Sequence, residues 1–281
     1  MTWEEAVLWL RAQPEQQELV RACYYDDPLL EAAVRFEASE EWQAVREILP
    51  RQTGIALDLG AGRGISSYAL AKAGWQVTAL EPDPSPIVGR KAIQTLAEEC
   101  NLSFHPIDGY AEEIPCADSQ FDLVHGRQVM HHAQDLQTMC NEIARVLKHG
   151  GMFISTREHV ISKKEDLPIF LDDHPLHHLY GGENAYLLSE YLDALTNSGL
   201  QIMQVLGPMA TVINYFPVTM ESWRNTIRAA LARRIGVRIT SVLLSDRQPW
   251  SHLVYRYLAN RADNKNQVPG RLYSFVAVKK S

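Results

Sequence analysis

Four cysteines in 281 residues, with no C-x-x-C pair among them, leave Cys23, Cys100, Cys116 and Cys140 too scattered for a zinc motif or a disulfide framework. Reduced, buried thiols are the expectation. Long apolar runs are missing as well, since none approaches the ~18 residues of a membrane span. No basic patch followed by an apolar block opens the chain, so neither a signal peptide nor a membrane partner is expected, and the expected location is cytoplasmic. Cations are in the minority, 27 Lys and Arg against 34 Asp and Glu, and the net charge of −7 disfavours a nucleic-acid partner. There is no internal repeat or low-complexity tract. What is present, 46 % hydrophobic and 22 % charged residues, is the composition of a globular protein long enough to bury a sizeable core.

The informative stretch runs from Ile55 to Gly64, I-A-L-D-L-G-A-G-R-G. An apolar run reads as a buried parallel strand, glycines at alternate positions follow, and Ile65, Tyr68, Ala69 and Ala73 then begin a helical stripe. Glycines there let the backbone turn tightly and let a ligand approach with no Cβ in the way. A dinucleotide fingerprint needs G-x-G-x-x-G/A. Here the third glycine, Gly64, comes one residue early and Ile65 holds the fingerprint position. Asp58 followed by Gly60-Ala61-Gly62-x-Gly64 is the spacing of S-adenosylmethionine sites. Glu81, at the end of the next apolar run, stands where a carboxylate can accept both ribose hydroxyls, with Pro82 beside it.

Three further segments carry a resemblance. Gly109-Tyr110-Ala111-Glu112-Glu113-Ile114-Pro115 leads into Phe121-Asp122-Leu123-Val124; His131-His132 is followed by Asp135; and Glu142-Ile143-Ala144-Arg145-Val146-Leu147-Lys148-His149-Gly150-Gly151 closes the series. Across residues 50 to 160 the chain resembles the class I S-adenosylmethionine-dependent methyltransferases, close to their small-molecule branch. The resemblance implies a Rossmann-like fold, S-adenosylmethionine as cofactor with S-adenosylhomocysteine as product, and methyl transfer to an oxygen or nitrogen of a metabolite, natural product or sugar. It also implies cofactor contacts from Ala111 and Glu112. The family's usual aspartate at the adenine amine is Tyr110 here; either Asp108 substitutes for it or Tyr110 stacks.

Between Gly54 and Ile161, strands and helices alternate: 55–59, 75–81, 102–107, 121–125 and 151–157 as strands, 63–73, 85–100 and 134–147 as helices. With strands at 200–206 and Leu272–Val278, this predicts a doubly wound, seven-stranded, mostly parallel sheet. Ligands then lie beyond the carboxyl ends of the strands, which gathers Gly60, Glu81, Asp108, His125, Gly126, Arg127, Arg157, Glu158 and His159 on one rim. The expected division is a helical cap over 1–50, a methyltransferase core over 51–211, a helical insertion over 212–270, and the last strand over 271–281. The cap carries eleven acids against four arginines and is either a lid or plain packing, with Tyr24 and Tyr25 as its candidate contacts. The insertion carries eight arginines, Arg247 among them, and Lys265 against Glu221, Asp246 and Asp263. That basic excess either balances the acidic cap, within the chain or across a homodimer, or receives an anionic acceptor.

A sulfonium is already a good methyl donor, so the site must align a nucleophile, exclude water and take up any proton released. His131 and His132 are candidates for the proton, as is the trio Arg157, Glu158 and His159, because polar residues at the end of a buried strand are costly unless used. Arg127 is expected to anchor the methionyl carboxylate or neutralise the acceptor. The polar, aromatic stretch 172–184 is expected over the acceptor, with His177, His178, Tyr180, Glu183 and Asn184 as contacts. Asp172, Asp173, His174, His177 and His178 also read as metal ligands, but Pro175 interrupts a helix there and no metal is expected. The competing readings are a nicotinamide-dependent oxidoreductase and a non-catalytic nucleoside-binding protein on the same fold.

Overall fold

The computed structural model describes residues 1–245, 248 and 250–280; Asp246 and Arg247, counted above in the insertion, lie outside the described residues. Eight strands form one sheet: β1 (Ile55–Leu59), β2 (Gln76–Leu80), β3 (Phe104–Ile107), β4 (Phe121–Arg127), β5 (Leu147–Ile161), β6 (Tyr186–Leu187), β7 (Leu200–Leu206) and β8 (Arg271–Lys279). Their order is β3-β2-β1-β4-β5-β8-β7, with the two-residue β6 set beside β5 off that path. Strand β8 runs antiparallel between β5 and β7, and the other pairings are parallel. The fold is the expected Rossmann-like α/β sheet, with β6 as the one addition.

Helices cover both faces. On one, helices Leu136–Val146 and Leu188–Asn197 press Ile143, Tyr191 and Leu195 onto Phe121, Phe153 and Phe275. On the other, helices Leu29–Glu37, Glu40–Ile48, Ile65–Lys72 and Arg90–Cys100 pack Phe36, Trp42, Leu70 and Ile93 against Ala56, Val77 and Ile154. A strand covered on both sides must be largely apolar, as β1 and β2 are apart from the buried Asp58 and Thr78.

Several of the resemblance motifs turn out to hold the scaffold. Asp122 accepts the Ile55 N–H at 2.9 Å and the Lys148 ammonium at 2.8 Å, tying β4 to β1 and β5. Glu142 accepts the Ile114 N–H at 2.8 Å, while its partner Arg145 donates to the carbonyls of Ile114 and Cys116, both at 2.8 Å. Asp135 caps helix Leu136–Val146 by accepting the Thr138 N–H at 3.0 Å.

Three details refine the expected outline. The end of the helical cap is two helices, because Ser39 accepts the Trp42 N–H at 3.1 Å and starts a new one. The helical insertion breaks at Gly236, whose φ of 85° suits glycine, between helices Met220–Ile235 and Val237–Leu243. Strand β5 is longer at both ends than the 151–157 expected, and it carries a bulge. Ser155 pairs with Phe275 and Glu158 with Tyr273, so three steps on β5 match two on β8. The extra residue puts Ser155 and Glu158 on one side, where the Ser155 hydroxyl donates to the Glu158 carboxylate at 2.6 Å. Arg157, within the bulge, has φ of 63°. All four cysteines are free thiols, and among the described residues no helix is long and apolar enough to cross a membrane.

Candidate active site

A cavity of about 990 Å³ opens where β1, β2, β4 and β5 end, walled by the glycine turn, the N-terminal helices and the 174–183 segment. Gly60, Gly62 and Gly64 all have positive φ, at 61°, 54° and 84°. A Cβ on Gly60 would lie 2.4 Å from Val129 Cγ2, so this glycine is needed for packing as well as for its turn. A Cβ on Gly62 would meet nothing within 4 Å, and Gly62 lines the cavity. The turn therefore leaves open a cradle that a side chain would fill. Beneath it Asp58 is buried and accepts the Ser67 hydroxyl at 2.6 Å.

Across the cradle, Glu81 accepts the N–H groups of Gly62 at 2.7 Å and Asp83 at 2.9 Å. Burial nonetheless dominates and pushes its carboxyl up to about 7. Ala61, Pro82, Ala111 and Glu112 line the same end, and Glu112 accepts the Gln134 N–H at 2.8 Å. Of the two residues considered for the adenine, Tyr110 reaches the cavity rim although it is 68 % exposed. Asp108 does not line the cavity; it pairs with Arg90 at 2.6 Å in solvent.

The N-terminal helices form a wall of this cavity through Trp3, Leu19, Tyr24 and Tyr25. What fastens them is Arg63, in the middle of the glycine turn. Its guanidinium donates to the carbonyls of Tyr24 at 2.8 Å and Asp26 at 2.9 Å and to the carboxylate of Asp27. Removing a charged donor from such acceptors costs about 1–3 kcal/mol. Arg63→Ala is therefore expected to speed amide exchange across 24–27 while leaving exchange in β1 and β4 unchanged; uniform acceleration would mean the arginine supports the whole sheet.

Two arginines are committed elsewhere than expected. Arg127 lines the cavity, yet its guanidinium grips the fully buried Glu41 through Nε at 2.7 Å and Nη2 at 3.1 Å. Burial would raise the Glu41 carboxyl, but Arg127 and then Arg157 outweigh it and hold it below its ordinary value. Arg157 also lines the cavity, and its guanidinium donates to the carbonyls of Ile213 at 2.8 Å and Phe216 at 2.9 Å, anchoring the start of the insertion. His125, expected at the rim, is buried below it and lines no part of the cavity.

The far end of the cavity gathers His131, His132, His159, His174, Tyr180 and Glu183. His131 lies between two carboxylates, Nδ1 at 2.7 Å from Glu158 and Nε2 at 3.6 Å from Glu183. Burial favours its neutral form, but the two carboxylates prevail and push it up to about 9. Burial, aided by the His131 charge, takes His159 down to about 3. The His159 Nδ1–H donates to the Gly270 carbonyl at 2.8 Å, and His132 Nδ1 lies 2.9 Å from the Gly182 carbonyl. Tyr180 donates to Glu183.

Glu158 corrects an expectation. It is fully buried and outside the cavity, and it accepts the N–H groups of Val129 and His131, both at 3.1 Å, so it orients His131 from behind. His177, His178 and Asn184 do not line the cavity, and His178 Nε2 is instead 2.6 Å from the Asp172 carbonyl. None of the described residues of the basic insertion lines the cavity either, so its charge lies outside the site. The residues that sequence reasoning passed over are Glu41, Arg63 and the cavity role of His174. The fourth position of the G-x-G-R-G turn was the one available signal for Arg63.

The chain is similar to known methyltransferases. A family described as a methyltransferase domain matches residues 57–155. The ubiquinone biosynthesis O-methyltransferase of Rhizobium leguminosarum bv. trifolii is 28 % identical over 155 residues, 54 % of this chain and 60 % of that one. The dimethylglycine N-methyltransferase of Parasynechococcus marenigrum is 33 % identical over 113 residues, 37 % of this chain and 38 % of that one. The chain thus spans less than two thirds of the length of either relative. Among solved structures, geranyl diphosphate C-methyltransferase from Streptomyces coelicolor A3(2), in complex with Mg2+, geranyl diphosphate and S-adenosyl-L-homocysteine, superposes with a TM-score of 0.59. It covers 92 % of this chain and 87 % of its own at 14 % identity, a likeness of fold. Residues 57–155 thus match a methyltransferase domain, and the sheet around them has the fold of known methyltransferases.

Proposed function

We propose that the protein transfers a methyl group from S-adenosylmethionine to an oxygen or nitrogen of a small-molecule acceptor and releases S-adenosylhomocysteine. The observation that carries this reading is one continuous cavity with the glycine cradle and Glu81 at one end and the histidine cluster at the other. The bound cofactor supplies a methyl group already activated for displacement. Gly60, Gly62 and Glu81 would hold its nucleoside part, Ala111 and Glu112 its far side, and the cluster around His131 and His159 would receive the acceptor. Trp3, Tyr24 and Tyr25 keep water from the reacting groups by roofing the cavity with apolar surface. A roof of this kind favours a small acceptor over a macromolecule. The relatives named above act at oxygen and at nitrogen, and the choice between them is open to assay.

Titration calorimetry with S-adenosylhomocysteine and with NADH tests the reading. Saturable binding of the first and none of the second is expected; tight NADH binding would overturn it. The affinity should also depend on pH. Glu81 accepts ribose hydroxyls best as a carboxylate, so occupancy lowers its pKa from about 7. S-adenosylhomocysteine affinity should therefore fall as pH drops below about 7 and level off above it; a flat profile would show that Glu81 does not touch the ligand.

A further inference from the structure

We propose that His131, His159 and Glu183 form a binding site for a divalent first-row transition-metal ion at the acceptor end of the cavity. Its remaining coordination positions would be open to an oxygen or nitrogen of the methyl acceptor. All three residues are buried, and a ligand atom from each lies within 4.8 Å of the others. A tetrahedral set about 2.1 Å from a metal has its ligand atoms roughly 3.4 Å apart, so small side-chain movements bring the three into register. Glu183 sits directly after Gly181 and Gly182, on backbone that can make such an adjustment.

The orientation of the two imidazoles is the stronger argument. Histidines that bind a metal through one ring nitrogen characteristically donate the other N–H to a carboxylate or a backbone carbonyl. Both do so here. His131 Nδ1 faces Glu158 at 2.7 Å, and His159 Nδ1 faces the Gly270 carbonyl at 2.8 Å. Glu158 is itself fixed by two backbone N–H groups and the Ser155 hydroxyl. That leaves Nε2 of each ring for a ligand: His131 Nε2 lies 3.6 Å from the Glu183 carboxylate, and His159 Nε2 has no hydrogen-bond partner among the described residues. A simple ion pair of His131 with its two glutamates accounts for Glu183, but it gives no reason for His159 to bring a ring nitrogen within 4.8 Å of both. His174 Nε2, 3.9 Å from the Glu183 carboxylate, supplies a fourth donor at the edge. Two imidazoles and one carboxylate suit Zn2+, Co2+ or Fe2+ better than Mg2+ or Ca2+, which favour oxygen alone. In the metal-free protein the Nε2–H of His131 occupies the gap toward Glu183; an incoming ion displaces that proton to solvent.

The role given to the open positions rests on the methyltransferase reading, whereas the site itself does not, and the test separates the two. The full chain is stripped with a chelator and titrated with Co2+, followed by visible absorption and calorimetry, with S-adenosylhomocysteine binding measured on the same samples. One Co2+ per chain is expected, displaced by Zn2+ and not by Mg2+. Outer-sphere changes cost about 10- to 100-fold in metal affinity, so loss of a ligand in His159→Ala or Glu183→Gln should cost at least about 100-fold. Both variants should remain folded and keep their S-adenosylhomocysteine affinity. His178→Ala should bind Co2+ like the parent. Absence of Co2+ and Zn2+ binding, or parental binding by a folded His159→Ala, overturns the metal site and leaves the methyltransferase reading intact. Metal binding without any S-adenosylhomocysteine binding does the reverse.

Discussion

Glu81→Ala is expected to weaken S-adenosylhomocysteine binding by about 100-fold or more, the largest effect of any single change at the cofactor end. Hydrogen bonds to a charged group are each worth about 1.5–3 kcal/mol. A carboxylate that accepts two ribose hydroxyls therefore controls at least about 3 kcal/mol, which is two decades in Kd. Glu81→Gln keeps the shape and one acceptor and should lose about tenfold. The unliganded protein should respond in the opposite sense. With its folded pKa raised from 4.5 to about 7, Glu81 makes the unliganded chain less stable as pH rises through that interval. At pH 8 the melting temperature of Glu81→Gln without ligand should therefore equal or exceed that of the parent. Calorimetry and thermal unfolding on the same samples check both halves, and a Kd within about threefold of the parent in Glu81→Ala would remove the cradle from the cofactor.

Arg127→Ala is expected to lower the melting temperature by roughly 10 °C, and Glu41→Ala to do the same. Breaking a buried ion pair by removing one member costs about 3–5 kcal/mol because the other charge is left unpaired, and domains of this size lose about 2–4 °C per kcal/mol. Replacing both at once, Glu41→Leu with Arg127→Met, should recover most of the loss. The alternative duty, anchoring the methionyl carboxylate, makes a different prediction: Arg127→Ala would then keep its melting point and lose S-adenosylhomocysteine affinity. Bidentate contact with a fully buried Glu41 argues for the structural outcome.

That pair also shows what a sequence reader can and cannot see. Local chemistry was legible: the run 55–59 became β1 without a shift, because its apolar residues are bounded by Gly54 and Gly60. The glycine turn was legible as well, since three positive-φ positions in a row of five admit few residues other than glycine. Partnerships across long intervals were not. Glu41 and Arg127 are 86 positions apart, and nothing in either neighbourhood announces that the other will neutralise it. Arg157 looked like a substrate contact because a polar residue ending a buried strand needs a partner; the partners were the Ile213 and Phe216 carbonyls of the insertion. His174 and Glu183 were noticed, but the first was grouped with Asp172, His177 and His178, its neighbours along the chain. In space it joins His131 and His159, which come from the ends of β4 and β5.

The bulge in β5 has a consequence for kinship. One added residue between Ser155 and Glu158 changes which side chains look inward for the remainder of that strand. A descendant that dropped it would keep the scaffold, the nucleoside cradle and almost every letter of its motifs, yet turn Glu158 away from His131. The chemistry of that end of the cavity can thus change through a single-codon deletion, with no substitution anywhere in the chain.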